Sequence, residues 1–123
     1  MPIRSHRELI VWQKGMDLCV ETYRIANLLP TYERFVLRQQ MCRAGISVPS
    51  NIAEGHGRIT RGDFGRHLGF SRGSLNELDT QFDLCRRIGY LDPKELVTAE
   101  MLHTEVGRLL WKLLESIGYR SWR

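Results

Sequence analysis

Residues 47–58, Ser47-Val48-Pro49-Ser50-Asn51-Ile52-Ala53-Glu54-Gly55-His56-Gly57-Arg58, decide the fold of this chain. They place a proline inside a run that otherwise reads as a helix. Pro49 has no N–H, and its ring crowds the carbonyl four residues back, which costs about 3 kcal/mol in a helix interior. The turn before it must bend or find other partners, and Ser47, Ser50 and Asn51 carry short polar side chains able to supply them. Gly55 and Gly57 are then expected to let the backbone leave the helix through positive φ. The stretch therefore reads as a helix kinked at Pro49 that ends in a tight exit. Its structural residues are Pro49, Asn51, Glu54, Gly55 and Gly57, with Asn51 and Glu54 bracing the passage to the next helix.

Working back from there, Leu37, Met41, Ala44, Val48 and Ile52 form the buried row of a helix predicted over 32–55, with Thr31 as its cap. Ala44 and Gly45 are small enough for a neighbouring helix to come close. Working forward, Thr60-Arg61-Gly62-Asp63 resembles a capping box with Asp in the Glu position. It opens a helix predicted over 61–88, in which Phe64, Leu68, Ser71, Leu75, Leu78, Phe82 and Cys85 recur in alternating steps of four and three. Gly89 is the expected glycine after the last turn.

The flanking helices follow from the same spacing. Leu9, Trp12, Met16, Cys19, Tyr23 and Ala26 predict a helix over 8–28 that ends before Pro30. Val11, Leu18 and Ile25 form a second apolar row at seven-residue intervals. That row reads as a surplus beyond the core stripe, available to another subunit. Asp92-Pro93-Lys94-Glu95 supplies an N-cap, an N1 proline and an N3 glutamate for a helix predicted over 93–117. Ala99, Leu102, Val106, Leu109, Leu113 and Ile117 carry its stripe, and an aromatic, basic tail, Tyr119–Arg123, follows.

Short loops between long helices force antiparallel neighbours. The expected fold is all-α: a single domain over 1–123 that forms an antiparallel up-down-up-down four-helix bundle. A length of 123 residues with 42% hydrophobic side chains is enough for one such core. No apolar run approaches the roughly 20 residues of a membrane span, and the first 15 residues lack the apolar stretch of a signal peptide. A cytoplasmic protein is expected, with no membrane partner. Cys19, Cys42 and Cys85 are widely spaced without a Cys-x-x-Cys pair, which suits structural free thiols in a reducing compartment.

Charge is unevenly distributed. The chain carries +4, and Arg34 to Arg72 holds seven arginines against Glu54 and Asp63, a local net of +5. Such a concentration is the electrostatic footprint of a polyanion site, and arginine suits bidentate phosphate contacts. Arg34, Arg38, Arg58, Arg61, Arg66 and Arg72 are the candidate nucleic-acid-binding residues, with Arg58 and Arg61 beside a helix N-terminus that itself attracts anions. The competing reading pairs these arginines across subunits with Glu77, Asp79, Asp83 or Glu105.

Chemistry finds little support. No phosphate-binding glycine loop, nucleophile elbow or zinc-protease motif occurs. Glu54, His56, Asp63 and His67 are the best candidate cluster for an enzyme site, Asp63 and His67 lying one turn apart where both could reach one metal. Capping accounts for Asp63, and a nearby arginine accounts for Glu54. The reading is therefore a non-enzymatic protein with no catalytic residues, no metal and no cofactor.

Taken together, Leu9-Ile10-Val11-Trp12-Gln13-Lys14 with Asp17-Leu18, the run Ser47 to Gly55 with Gly57-Arg58, Gly73-Ser74-Leu75-Asn76-Glu77-Leu78, Thr80-Gln81 and Gly89-Tyr90-Leu91 resemble a known family. It is the four-helix-bundle family of proteins encoded in intervening sequences of bacterial 23S ribosomal RNA genes, and the resemblance covers nearly the whole chain. It implies assembly as a cyclic homopentamer. A related branch of that architecture acts as a basic, RNA-handling accessory protein beside a reverse transcriptase, which carries over as analogy. The expected function is thus a homo-oligomeric bundle that binds RNA through its arginines. The alternative is an assembly protein that engages a protein partner without nucleic acid.

Overall fold

The computed structural model describes residues 4–118, so the tail from Tyr119 to Arg123 lies outside the described residues. Four helices follow one another: α1 (Ile10–Ala26), α2 (Leu37–His56), α3 (Arg61–Ile88) and α4 (Pro93–Ser116). Single 3₁₀ turns precede α1 (His6–Glu8) and α2 (Thr31–Glu33), and no strand occurs among the described residues. α2 packs along α1 and α3, and α4 closes the bundle against both of them. None of the described helices is long and apolar enough to cross a membrane.

The buried row of α2 is Leu37, Met41, Ala44, Val48 and Ile52, as its spacing predicts. α3 contributes Leu68, Ser71, Leu75, Leu78, Phe82 and Cys85 to the same core, with Phe64 packed at its edge. Gly89, at φ 89°, takes the left-handed conformation that ends α3. At the start of α4 the Glu95 carboxylate accepts the Asp92 N–H (3.1 Å), with Pro93 at the first helical position.

α1 corrects the sequence reading. Val11, Leu18 and Ile25, taken as a surplus row, are buried in the monomer core, whereas Met16 and Tyr23 are exposed. Buried in α1 are Val11, Gly15, Leu18, Thr22, Ile25 and, from the predicted stripe, Ala26, while Leu9 and Trp12 of that stripe pack at the core's edge. Two of the buried residues, Gly15 and Thr22, carry no apolar side chain. They are chosen for closeness to α2. A Cβ on Gly15 would lie 3.5 Å from Val48 and 3.6 Å from Pro49. A Cβ on Gly45 would meet Thr22 at 3.3 Å. Thr22 satisfies its own hydroxyl by donating to the Leu18 carbonyl (2.8 Å).

The start of α2 is the second correction. The helix begins at Leu37, not Tyr32, and Thr31 does not cap it. Pro30 leads into a 3₁₀ turn, and Val36 leaves helical geometry (φ −119°, ψ −91°). Glu33 holds this entry in place: its carboxylate accepts the Leu37 N–H (3.4 Å) and the Tyr90 hydroxyl (2.7 Å). In α4 the buried row runs through Leu96, Ala99, Val106, Leu110 and Leu114. The predicted Leu102, Leu109, Leu113 and Ile117 flank it, partly buried. His103 fills the remaining core-facing turn and donates from Nε2 to the Leu75 carbonyl (2.7 Å).

Candidate nucleic-acid interface

The α2–α3 junction gathers three of the six candidate arginines. Gly57 caps α2 and Thr60 begins α3, its hydroxyl accepting the Asp63 N–H (3.1 Å). Between them stands Ile59, fully exposed. Arg58 reaches back one turn to Glu54 (2.6 Å), and Arg66 lies 3.8 Å from Asp63 and over the Phe70 ring at 6.0 Å. Arg61 opens α3 and forms no ion pair among the described residues. The result is three arginines close to a helix N-terminus, with an exposed aliphatic side chain beside them and a half-exposed aromatic ring, Phe70, further along α3 under Arg66. That combination suits a phosphate backbone and an unpaired base.

The other three arginines lie elsewhere. Arg34 and Arg38 sit at the opposite end of α2, whose 20 residues span about 30 Å. Arg34 lies over Phe35 (5.3 Å), and Arg38 donates to the Asn27 side-chain oxygen (2.7 Å). Arg72 stands midway along α3, over Trp111 of α4 at 5.7 Å. One local charge excess in sequence thus becomes three separate places in space. Two of the acidic residues considered as partners across subunits are engaged within the chain, Asp83 with Arg87 (3.2 Å) and Glu105 with Lys14 (3.9 Å).

A polar seam lies beneath the junction. α2 passes through Pro49 as one helix. Asn51 donates to the carbonyl and the hydroxyl of Ser47 (2.9 Å each), and Ser71 donates to the Val48 carbonyl (2.8 Å). Ser74 donates to the Ser47 hydroxyl (2.7 Å), and His67 Nδ1 faces the Asn51 side-chain oxygen at 3.4 Å. Asn51 thus meets α3 at His67, whereas among the described residues Glu54 makes its local pair with Arg58. Sequence reasoning missed His67 and Ser74 as members of this seam. The signal for Ser71 was present, since it is the one polar residue in the α3 stripe.

The two junction glycines act differently from expectation. Neither has positive φ, and Gly57 closes α2 in ordinary right-handed geometry (φ −77°). Gly55 is needed for contact instead. A Cβ there would lie 2.9 Å from the His67 Cβ and 3.1 Å from the Phe64 carbonyl.

No group of three His, Cys, Asp or Glu side chains comes together among the described residues. Asp63 turns to Arg66 and His67 to Asn51, so the pair one turn apart does not converge. All three cysteines are free thiols. Burial, helped by the Glu33 charge, pushes the Cys85 thiol from 9.0 to about 11.

The family model of the 23S rRNA-intervening sequence protein matches residues 7–112. The chain belongs to that family. Among solved structures, it is similar to a protein of unknown function from the S23 ribosomal protein family of Bacteroides thetaiotaomicron VPI-5482. The TM-score is 0.79 at 24% identity, with 86% of this chain and 96% of that chain covered. Likeness at that identity speaks for the shared helical fold alone. No curated protein matches the chain. The family match spans α1 to α3, α4 as far as residue 112 and the whole junction, including Arg34, Arg38, Arg58, Arg61, Arg66 and Arg72.

Proposed function

We propose that this family member is a non-enzymatic, cytoplasmic, homo-oligomeric bundle, a cyclic pentamer, that binds RNA as an accessory protein through the α2–α3 junction. The observation that supports this reading is the run of Arg58, Arg61 and Arg66 at the start of α3, beside the fully exposed Ile59, with Arg66 lying over the half-exposed Phe70 ring. Each protomer offers only a modest patch, because Glu54 and Asp63 offset part of the charge. Repetition around an assembly raises avidity without any new type of contact.

A mobility-shift titration with structured RNA across a salt series tests it. Each phosphate neutralised contributes about 0.7 to 0.9 to the slope of log affinity against log salt. Binding with a slope of roughly two or more per protomer is expected. Absence of binding at about 50 mM salt, where screening is weak, would overturn the RNA reading. The alternative of an assembly protein with a protein partner would then stand in its place.

A further inference from the structure

Beyond the junction, the outer face between α2 and α3 continues as a groove. Its α3 side is one row at helical spacing: Phe70, Gly73, Glu77, Gln81 and Leu84. Phe70 is 51% exposed and stands on the α2 side of α3. Its ring lies 5.5 Å from that of His67, edge to face, and His67 in turn faces Asn51 of α2. The Arg66 guanidinium lies 6.0 Å from the Phe70 ring.

The groove has a volume of about 420 Å³ and is lined by Gln40 of α2 and by Gly73, Asn76, Glu77, Gln81 and Leu84 of α3, among others. A Cβ on Gly73 would meet nothing within 4 Å, so the backbone lies open there. Gln81 is only 7% exposed, and its Oε1 is buried with no hydrogen-bond partner among the described residues. Such an acceptor costs free energy until a donor reaches it. The last torsion of a glutamine is broad, so the amide can turn that oxygen toward the groove. Arg43 is exposed one turn from Gln40 on α2 and forms no ion pair among the described residues.

Three amides and one carboxylate are the side chains that read base edges: Asn and Gln bond adenine, and a carboxylate accepts from the cytosine amino group. An open aromatic ring is a platform for a base face. A base can use both only when unpaired, because an A-form duplex keeps its bases stacked and its major groove is too narrow for side chains. We infer that the α2–α3 groove takes an unpaired stretch of RNA, with one base stacked on Phe70 and a neighbouring base edge among Gln40, Asn76, Glu77 and Gln81. The strand enters from the junction, where Arg58 and Arg61 hold its phosphates, and Arg43 meets the backbone further on. The inference rests on the RNA-binding part of the proposed function and names the class of RNA.

The test titrates the full chain, by fluorescence anisotropy at one salt concentration, into a labelled unpaired oligonucleotide of mixed sequence and into the duplex it forms with its complement. The single strand should bind about tenfold more tightly, within what one base–aromatic stack supplies. Phe70→Ala should remove that advantage and Phe70→Tyr should keep it. Gly73→Leu fills the groove from a position where the added side chain starts in open space, so helical content by circular dichroism should match wild type. It should weaken single-strand binding and leave the duplex unaffected. Gln81→Met should weaken single-strand binding without lowering the melting temperature, because the Oε1 it removes has no partner among the described residues. Equal affinity for single strand and duplex, or undiminished single-strand binding by Phe70→Ala and Gly73→Leu, would overturn the groove while RNA binding at the junction stands. No binding to either RNA would overturn both.

Discussion

Gly55 in α2 and His67 in α3 stand so close that a Cβ added to the glycine would lie 2.9 Å from the histidine Cβ. The Phe64 carbonyl, at 3.1 Å from the same point, adds a second obstacle. Since both obstacles belong to α3 near its backbone, the helices must separate to admit a methyl group. Gly55→Ala should therefore lower stability by about 1–3 kcal/mol, the usual cost of overpacking, despite alanine's better helix propensity. Gly73→Ala, where a Cβ meets nothing within 4 Å, should raise it by about 0.5–1 kcal/mol. Urea unfolding of the two variants checks the contrast, and opposite signs are the expected outcome.

Cys85 lies fully buried, its sulfur 3.9 Å from the Met41 sulfur. Burial raises its thiol to about 11, so the folded state keeps a proton that an unfolded chain gives up near 9.0. Its contribution to stability is whole below pH 9 and is lost as pH rises toward 11. In native protein, thiol reagents should label the half-buried Cys19 and Cys42 first. Cys85 should react only through unfolding. Mass spectrometry of timed labelling reads this directly, and early modification of Cys85 would contradict the packed core.

Tyr90 and Glu33 join the α3–α4 turn to the start of α2, 57 positions apart in sequence. Hydrogen bonding to Tyr32 and to Glu33 raises the Tyr90 hydroxyl above the ordinary tyrosine value of 10.0. The neutral hydroxyl is thus favoured by folding, and the stability it lends persists below pH 10 and fades as pH climbs further. Tyr90→Phe should lower the melting temperature at neutral pH and speed exchange of the Leu37 amide, which Glu33 also accepts. The same variant should lose less stability than wild type above pH 10. Unchanged exchange at Leu37 would mean that the tether does not set the start of α2.

How much of this was legible follows from where each residue finds its reason. The α3 stripe is readable because every member but Ser71 is apolar, so spacing alone identifies the face. The α1 face is not, because Gly15 and Thr22 are set by the approach of Val48, Pro49 and Gly45 on another helix. Counting apolar residues therefore favoured the more exposed Met16 and Tyr23 row. The start of α2 is hidden for a similar reason, since the Glu33 carboxylate that accepts the Leu37 N–H is itself held by the distant Tyr90. At the junction, local rules suggested positive φ for Gly55, while the structure uses its missing Cβ. The arginines were legible as a local excess of charge, but their division between the two ends of α2 depends on the helix running its full length between them.

That division yields the sharpest test of the proposed interface. Arg58 and Arg61 lie at the α2–α3 end, while Arg34 and Arg38 lie about 30 Å away by helix rise. Arg58→Glu with Arg61→Glu should weaken RNA binding for all sequences alike and reduce the salt slope by roughly 1.4–1.8, two phosphate contacts' worth. Helical content should stay unchanged, because both side chains are exposed and the Glu54–Arg58 pair, one turn apart on the surface, adds at most about 0.5 kcal/mol. Arg38→Glu should leave the slope nearly intact, since that guanidinium is committed to Asn27 at the far end. Equal losses from both ends would place RNA along the whole length of α2. If instead the Arg58 and Arg61 reversal dissolves the assembly while wild-type protein is oligomeric, those arginines hold subunits together, and the charge in this region serves architecture rather than nucleic acid.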